Sequence, residues 1–202
     1  MKKLLFMLLA VAALVSCDSE YDKMSEYEKA IYDVGTNSKL SLVDVLKNTQ
    51  LWVESKVISS SLPEGKGDVS VADYTGSIIP DGGIRYTFIF NDIFKFYTSS
   101  LTGLEYLGFY ADYKYTISED NVISLDGGPN LNDYKVFGMA FDRMNVVAYN
   151  ESSLVIEICD SKDKHYPYKT FVLKAGTQSK KDKLEKHCTD VETFEGVLAD
   201  YN

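Results

Sequence analysis

The chain has 202 residues, 21 basic against 30 acidic, with 45% apolar and 13% aromatic residues and only 4 prolines. That is the composition of a globular protein and excludes a disordered, collagen-like or multi-span membrane chain. A formal net charge of -9 excludes nucleic acid as a partner, because such affinity rests on many Lys and Arg side chains neutralising phosphates.

Lys2 and Lys3 precede twelve unbroken apolar residues, Leu4 to Val15. As a helix that run is about 18 Å long against a hydrocarbon core of ~30 Å, so it reads as a signal h-region and not a permanent span. It closes on Leu14-Val15-Ser16-Cys17, which resembles the lipobox of bacterial lipoprotein signal peptides. The resemblance implies cleavage between Ser16 and Cys17. The small Ser16 fits the peptidase, and the Cys17 thiol takes the diacylglycerol before the new amine is acylated, palmitate being the expected kind of chain. Each buried methylene contributes about 0.8 kcal/mol, so two or three chains anchor a protein without any spanning helix. The expected location is the bacterial outer membrane, on its periplasmic face or at the cell surface. Asp18-Ser19-Glu20-Tyr21-Asp22 is similar to the export signal of surface lipoproteins in some Gram-negative gut anaerobes, and suits a plain solvated tether equally well.

Residues 1–16 are thus expected to be a signal peptide, 17–40 a lipidated N-terminus with a helical, acidic tether, and 41–202 one antiparallel β domain with a C-terminal helix. From Ser19 to Val34 the residues Tyr21, Met24, Tyr27, Ile31 and Val34 form a helical stripe closed by Gly35, to be packed on the domain or held off as a stalk. Ser41 and Asp44 start a short helix through Leu42, Val45 and Leu46. The period then changes to two. Strands are expected from Leu51 to about Ser59, over Ile84–Phe90, over Leu107–Ile117 and over Val122–Leu125. Others follow over Tyr134–Phe141, Asn145–Tyr149, Leu154–Cys159 and Tyr166–Lys174, about eight or nine in all. Leu62-Pro63-Glu64-Gly65-Lys66-Gly67 reads as loop. Leu184, Cys188, Val191, Phe194, Leu198 and Tyr201 keep helical spacing and predict an amphipathic helix closing over the sheet.

The order of these elements resembles the lipocalin-like domains of many bacterial lipoproteins. The carrying residues are the helix Ser41 to Lys47, Trp52 after it, the stretch Tyr113 to Leu125, and Asn150-Glu151-Ser152-Ser153-Leu154-Val155-Ile156. The resemblance implies a mainly β protein, an antiparallel up-and-down barrel with a helix plugging one end around a cavity for a small apolar molecule. Gln50 stands where that family has glycine. A β-sandwich is the alternative, since strands followed by a helix fit either.

Catalytic chemistry is scarce, and no enzyme is expected. His165 and His187 are the two histidines, and neither HExxH, Gly-x-Ser-x-Gly nor a Walker loop occurs. No cofactor or metal is expected: the loop Asp126 to Asp133 has alternating oxygen ligands, but lacks the Glu and helices of a calcium hand. Cys159 and Cys188 can pair across a loop of about 30 residues, worth roughly 3.5 kcal/mol, or stay as separate buried thiols. Parity of alternation makes Trp52, Ile84, Tyr86, Phe88, Phe90, Phe109, Tyr113 and Tyr115 the candidate ligand-lining side chains. Two functions remain open. One is a non-enzymatic lipoprotein holding a small hydrophobic or amphipathic ligand; the other is a surface adhesion or glycan-binding module, or an accessory subunit of an outer-membrane complex.

Overall fold

A computed structural model describes residues 20–35, 38–74, 84–102, 105–126, 141–159 and 168–190. Ser16, Cys17, the loop 127–133, the strand expected from Tyr134, His165, and the stripe residues Val191, Phe194, Leu198 and Tyr201 lie outside them. Two helices lead. In α1 (Glu26–Val34) Ser25 accepts from the Glu28 N–H while Glu28 accepts from the Ser25 N–H, a capping box, and Gly35 ends the helix with φ +70°. The expected stripe from Ser19 is therefore broken at Ser25. In α2 (Leu42–Asn48) the Ser41 hydroxyl accepts from the Asp44 N–H.

The strands are β1 (Trp52–Leu62), β2 (Lys66–Asp73), β3 (Ile84–Phe90), β4 (Phe94–Thr102), β5 (Glu105–Tyr113), β6 (Tyr115–Ile117), β7 (Val122–Leu125), β8 (Arg143–Tyr149), β9 (Ser153–Cys159), β10 (Tyr168–Ala175) and β11 (Thr189–Asp190), with α3 (Gln178–His187) before the last. They form one 11-stranded sheet along the path β11-β5-β4-β3-β1-β10-β9-β8-β7-β6, with β2 on β1. Apart from the parallel β11–β5 pair, every pairing is antiparallel. The two ends of the path are consecutive in the chain, because β5 passes into β6 through Lys114 alone. One bent strand thus carries the pairing from β4 to β7 and rolls the sheet around a single core. The result is the up-and-down antiparallel barrel, left open along a seam where β11 takes part of the free edge of β5. A sandwich needs two sheets, and the pairing gives one.

Two strands were hidden in the sequence. β4 carries the alternation Phe94, Phe96, Thr98 against Lys95 and Tyr97, and buries both faces, so no polar face marks it. β2 is exposed along nearly its whole length and lacks the apolar face that identifies a strand. The supposed loop between β1 and β2 is a tight hairpin in which Glu64 and Gly65 both take positive φ and the Lys66 N–H reaches the Pro63 carbonyl.

Helix α2 seals one end, placing Leu42, Val45 and Leu46 in the core with Trp52, Phe90 and Phe94. Outside, α1 lays Ala30 and Val34 on Ile58, Ala148, Val155 and Val172, so it belongs to the domain and is no stalk. The far end of α1 is tied down by Asn150, whose side-chain amide donates to the Val34 carbonyl at 2.8 Å. Helix α3 covers the other flank with Leu184 on Leu51, Ile89 and Tyr97. The predicted C-terminal helix stops at Cys188, which is extended, and Thr189 and Asp190 pair with Phe109 and Tyr110. The unpaired backbone edge of β5 outweighs the helical stripe there.

Glu157 faces outward beneath α1 and is buried, accepting from the Glu64 N–H at 3.2 Å. Burial pushes its carboxyl above the ordinary range, against the opposing pull of that N–H and of the Tyr27 hydroxyl. The folded state therefore holds the Glu157 proton more tightly than the unfolded chain. This group's share of stability is full below pH ~4.3 and is lost as pH rises through the folded value. Glu157→Gln is expected to flatten urea-unfolding stability between pH 4 and 7; an unchanged slope would contradict this burial.

Candidate functional site

The sealed half of the barrel is a packed aromatic core. Phe88 lies 5.1 Å from Phe96, 5.7 Å from Phe171 and 6.1 Å from Phe94, ring to ring, and Phe90 lies 5.0 Å from Phe94. Trp52 is fully buried in the same cluster, and its indole N–H has no acceptor among the described residues. Of the expected lining residues, Trp52, Phe88 and Phe90 are therefore core that ligand cannot reach without displacing rings. Tyr113 sits beside Phe94 at 6.3 Å, also in the sealed half. The Ile84 side chain lies outside those described.

Tyr86 and Phe109 belong to the other half. Tyr86 stacks on Phe96 at 5.3 Å and meets Phe171 edge-on at 5.6 Å. Two charged residues join them on the inner face. Glu54 lies opposite the inward Leu173 and is only 2% exposed. Its Oε2 accepts from the Tyr86 N–H at 2.9 Å, where β3 parts from β1 after the Val53–Thr87 pair. The carboxylate thus satisfies an amide that the ladder has dropped. Lys169 shares the parity of Phe171 and Leu173, and its amine stands 5.8 Å from the Tyr86 ring centroid. Burial lowers its pKa below the ordinary lysine value, and the Glu54 charge partly restores it. Among the described residues no carboxylate forms an ion pair with this amine. Burial and the Glu54 charge also push the Tyr86 hydroxyl up, keeping it a neutral donor.

Sequence reasoning missed both charges. The signal was present: a glutamate two residues after an inward tryptophan, and a lysine two before an inward phenylalanine.

Tyr115 stands apart. Its ring meets Phe90 edge-on at 6.0 Å, and its hydroxyl donates to the Asn91 carbonyl at 2.7 Å. It walls an outer groove of about 320 Å³ with Val43, Lys47, Asn91, Asp92 and Ile117. The seven expected residues whose side chains are described are therefore split between core, far half and outer groove.

Cys188 is a free thiol packed beside Leu51, Ile89, Tyr97 and Leu184, and burial pushes it up to about 11. Of the two readings, bridge or separate thiols, the bridge to Cys159 is not made: Cys188 is free and lies over the β3–β4 flank, on the far side of β1 and β10 from β9, which Cys159 ends. Among the described residues no three His, Cys, Asp or Glu side chains gather as a metal site. None of the described helices is long and apolar enough to cross a membrane.

No protein-family model matches the chain, and no curated protein does. Among solved structures it is similar to one described as "The Siderocalin Ex-FABP functions through dual ligand specificities". The likeness has 11% identity over 68% of this chain and 82% of that one, and a TM-score of 0.35. The barrel assignment rests on the strand pairing of this chain.

Proposed function

We propose that the protein is an envelope lipoprotein, anchored through acylated Cys17, whose barrel holds a small amphipathic ligand with an anionic head in its far half. The observation that carries the ligand is Lys169, an inward, half-buried ammonium over the Tyr86 ring with no ion-paired carboxylate among the described residues. A charge taken out of water is costly unless something answers it. A carboxylate or phosphate on a ligand answers it, while Tyr86 and Phe109 supply apolar surface at about 25 cal/mol per Å² buried. The sealed half offers no such room, which limits the ligand to a short apolar body. A glycan- or partner-binding module is the second reading, favoured by the Tyr115 groove with its aromatic wall and its Lys47, Asn91 and Asp92.

Native mass spectrometry of the mature protein, taken from its own envelope, is expected to show acyl chains on Cys17 and a co-purifying anionic amphiphile. Cys17→Ala is expected to leave uncleaved, unacylated precursor. Normal cleavage and membrane retention of that variant would sink the anchor. A mass that never exceeds chain plus acyl groups, even after added anionic amphiphile, would sink the ligand and favour the groove.

A further inference from the structure

We propose that the β1–β2 hairpin seats the protein on its membrane. The outer face bearing Leu62, Val69 and Val71 rests in the bilayer interface that holds the Cys17 acyl chains, and turns the far end of the barrel toward the lipid. This rests on the Cys17 anchor proposed above.

Three large apolar side chains crowd that hairpin, Leu62 at 54%, Val69 at 44% and Val71 at 41% exposure. Val69 pairs with Ser60 and Val71 with Ile58, and Ile58 faces outward under α1. Val69 and Val71 therefore point to the side of the barrel where α1 lies. Among the described residues β2 pairs with β1 alone.

The entry of the chain lies on the same side of the barrel, against α1. The Tyr21 hydroxyl donates to the Asp33 carboxylate at 3.1 Å, and its ring lies 5.6 Å from that of Tyr32. The Lys29 amine stands 5.7 Å from the same ring. A chain of charges then runs to β2. Lys29 meets Glu26 at 3.1 Å, Glu26 meets Lys56 at 3.4 Å, and Lys56 meets Asp73, the last residue of β2, at 3.9 Å. The hairpin tip is pressed on α1 as well, since a Cβ at Gly65 would stand 2.5 Å from the Cβ of Tyr27. Tyr21 is thus fixed against the outer flank of α1, and the four residues back to Cys17 reach at most about 14 Å. An anchored bilayer must come that close to α1, and the hairpin's apolar face lies on that same side of the barrel.

The charges there suit a lipid interface. Glu64 pairs with Lys66 and Asp73 with Lys56, and the long Lys66 stem lets its ammonium reach the head groups. With no basic cluster the contact is hydrophobic, so a zwitterionic bilayer suffices. The competing patch, Leu40, Val43 and Ile93, lies at the sealed end and would turn the far end away from the lipid.

The test uses full-length, acylated protein in phosphatidylcholine vesicles with or without dibrominated acyl chains. Tryptophan is placed at Val69→Trp or at Val43→Trp; buried Trp52 gives a constant background. Val69→Trp emission is expected to fall about twofold in brominated vesicles, as for a side chain roughly 5–10 Å into the interface, and Val43→Trp emission to stay unchanged. Val71→Trp, on the same face, must report as Val69→Trp does, which guards against one misfolded variant. Quenching at Val43→Trp alone, or at neither site while the protein floats with the vesicles, overturns the hairpin proposal and leaves the anchor standing. Wild type that carries no acyl mass and does not float overturns both. A dimer that shields the Val69→Trp reporter from lipid assigns this face to a second copy and overturns the proposal too.

Discussion

Phe88→Ala is expected to cost about 3–5 kcal/mol of folding stability, the largest effect of any single truncation in the barrel. Phe88 is fully buried and touches three rings from two other strands, Phe94 and Phe96 on β4 and Phe171 on β10. Those strands lie on either side of β3 and β1, so the ring links two stretches of the sheet that no hairpin joins. Close packing leaves the surrounding rings little freedom to collapse into the void, which keeps the cavity part of the cost high. Urea unfolding should show a lower midpoint with an unchanged slope. A cost below ~1 kcal/mol would mean that the sealed half is loosely filled, and that ligand can lie much deeper than the far half.

Much of this architecture was legible because barrel strands obey period two. Tyr86, Phe88 and Phe90 face inward as their alternation demands, and Asn150 turns β8 into β9 as an Asx residue should, its side-chain oxygen accepting from the Ser152 and Ser153 N–H groups at 2.9 Å. Alternation fails where both faces of a strand are covered. Under α3, Ile89 and Tyr97 are as apolar as the inner face, so β4 shows no polar parity. It fails again in β2, which has no covered face at all. The end of α3 was misread for another reason. Spacing reports which residues share a helix face, but it carries no information on a distant edge, and β5 needed a partner for Phe109 and Tyr110.

Parity also explains why the expected lining residues are spread along the barrel. Pointing inward is a property of the strand, whereas lining a ligand space depends on position along the barrel axis. Trp52 and Phe90 point inward at the end that α2 seals, and Tyr86 points inward at the other. The charged pair was missed because Glu54 and Lys169 sit 115 residues apart in sequence and meet only when β10 closes on β1. Read alone, each is one polar residue in a strand. Together they make the far half polar while the sealed half stays apolar, and that asymmetry gives the barrel a direction.

Lys169→Met should test that direction. Methionine keeps the length and apolar bulk of the stem and removes only the ammonium. A charge-assisted hydrogen bond is worth about 1.5–3 kcal/mol, so the affinity for a carboxylate-bearing amphiphile is expected to fall about 10–100-fold. A neutral apolar probe of the same size should bind wild type and variant equally, because the Tyr86 and Phe109 surface is untouched. The pH profile carries a second signature. Burial lowers the Lys169 pKa, so anion binding is full below that folded value and is lost as pH rises through it, earlier than for a surface lysine. Bound anion draws the value back up, so tighter ligands push the loss to higher pH. The variant should show no such step. Equal loss of the neutral and the anionic probe in Lys169→Met would mean that the residue only shapes the barrel end. Retention of both would return Lys169 to a plain partner of the Glu54 charge.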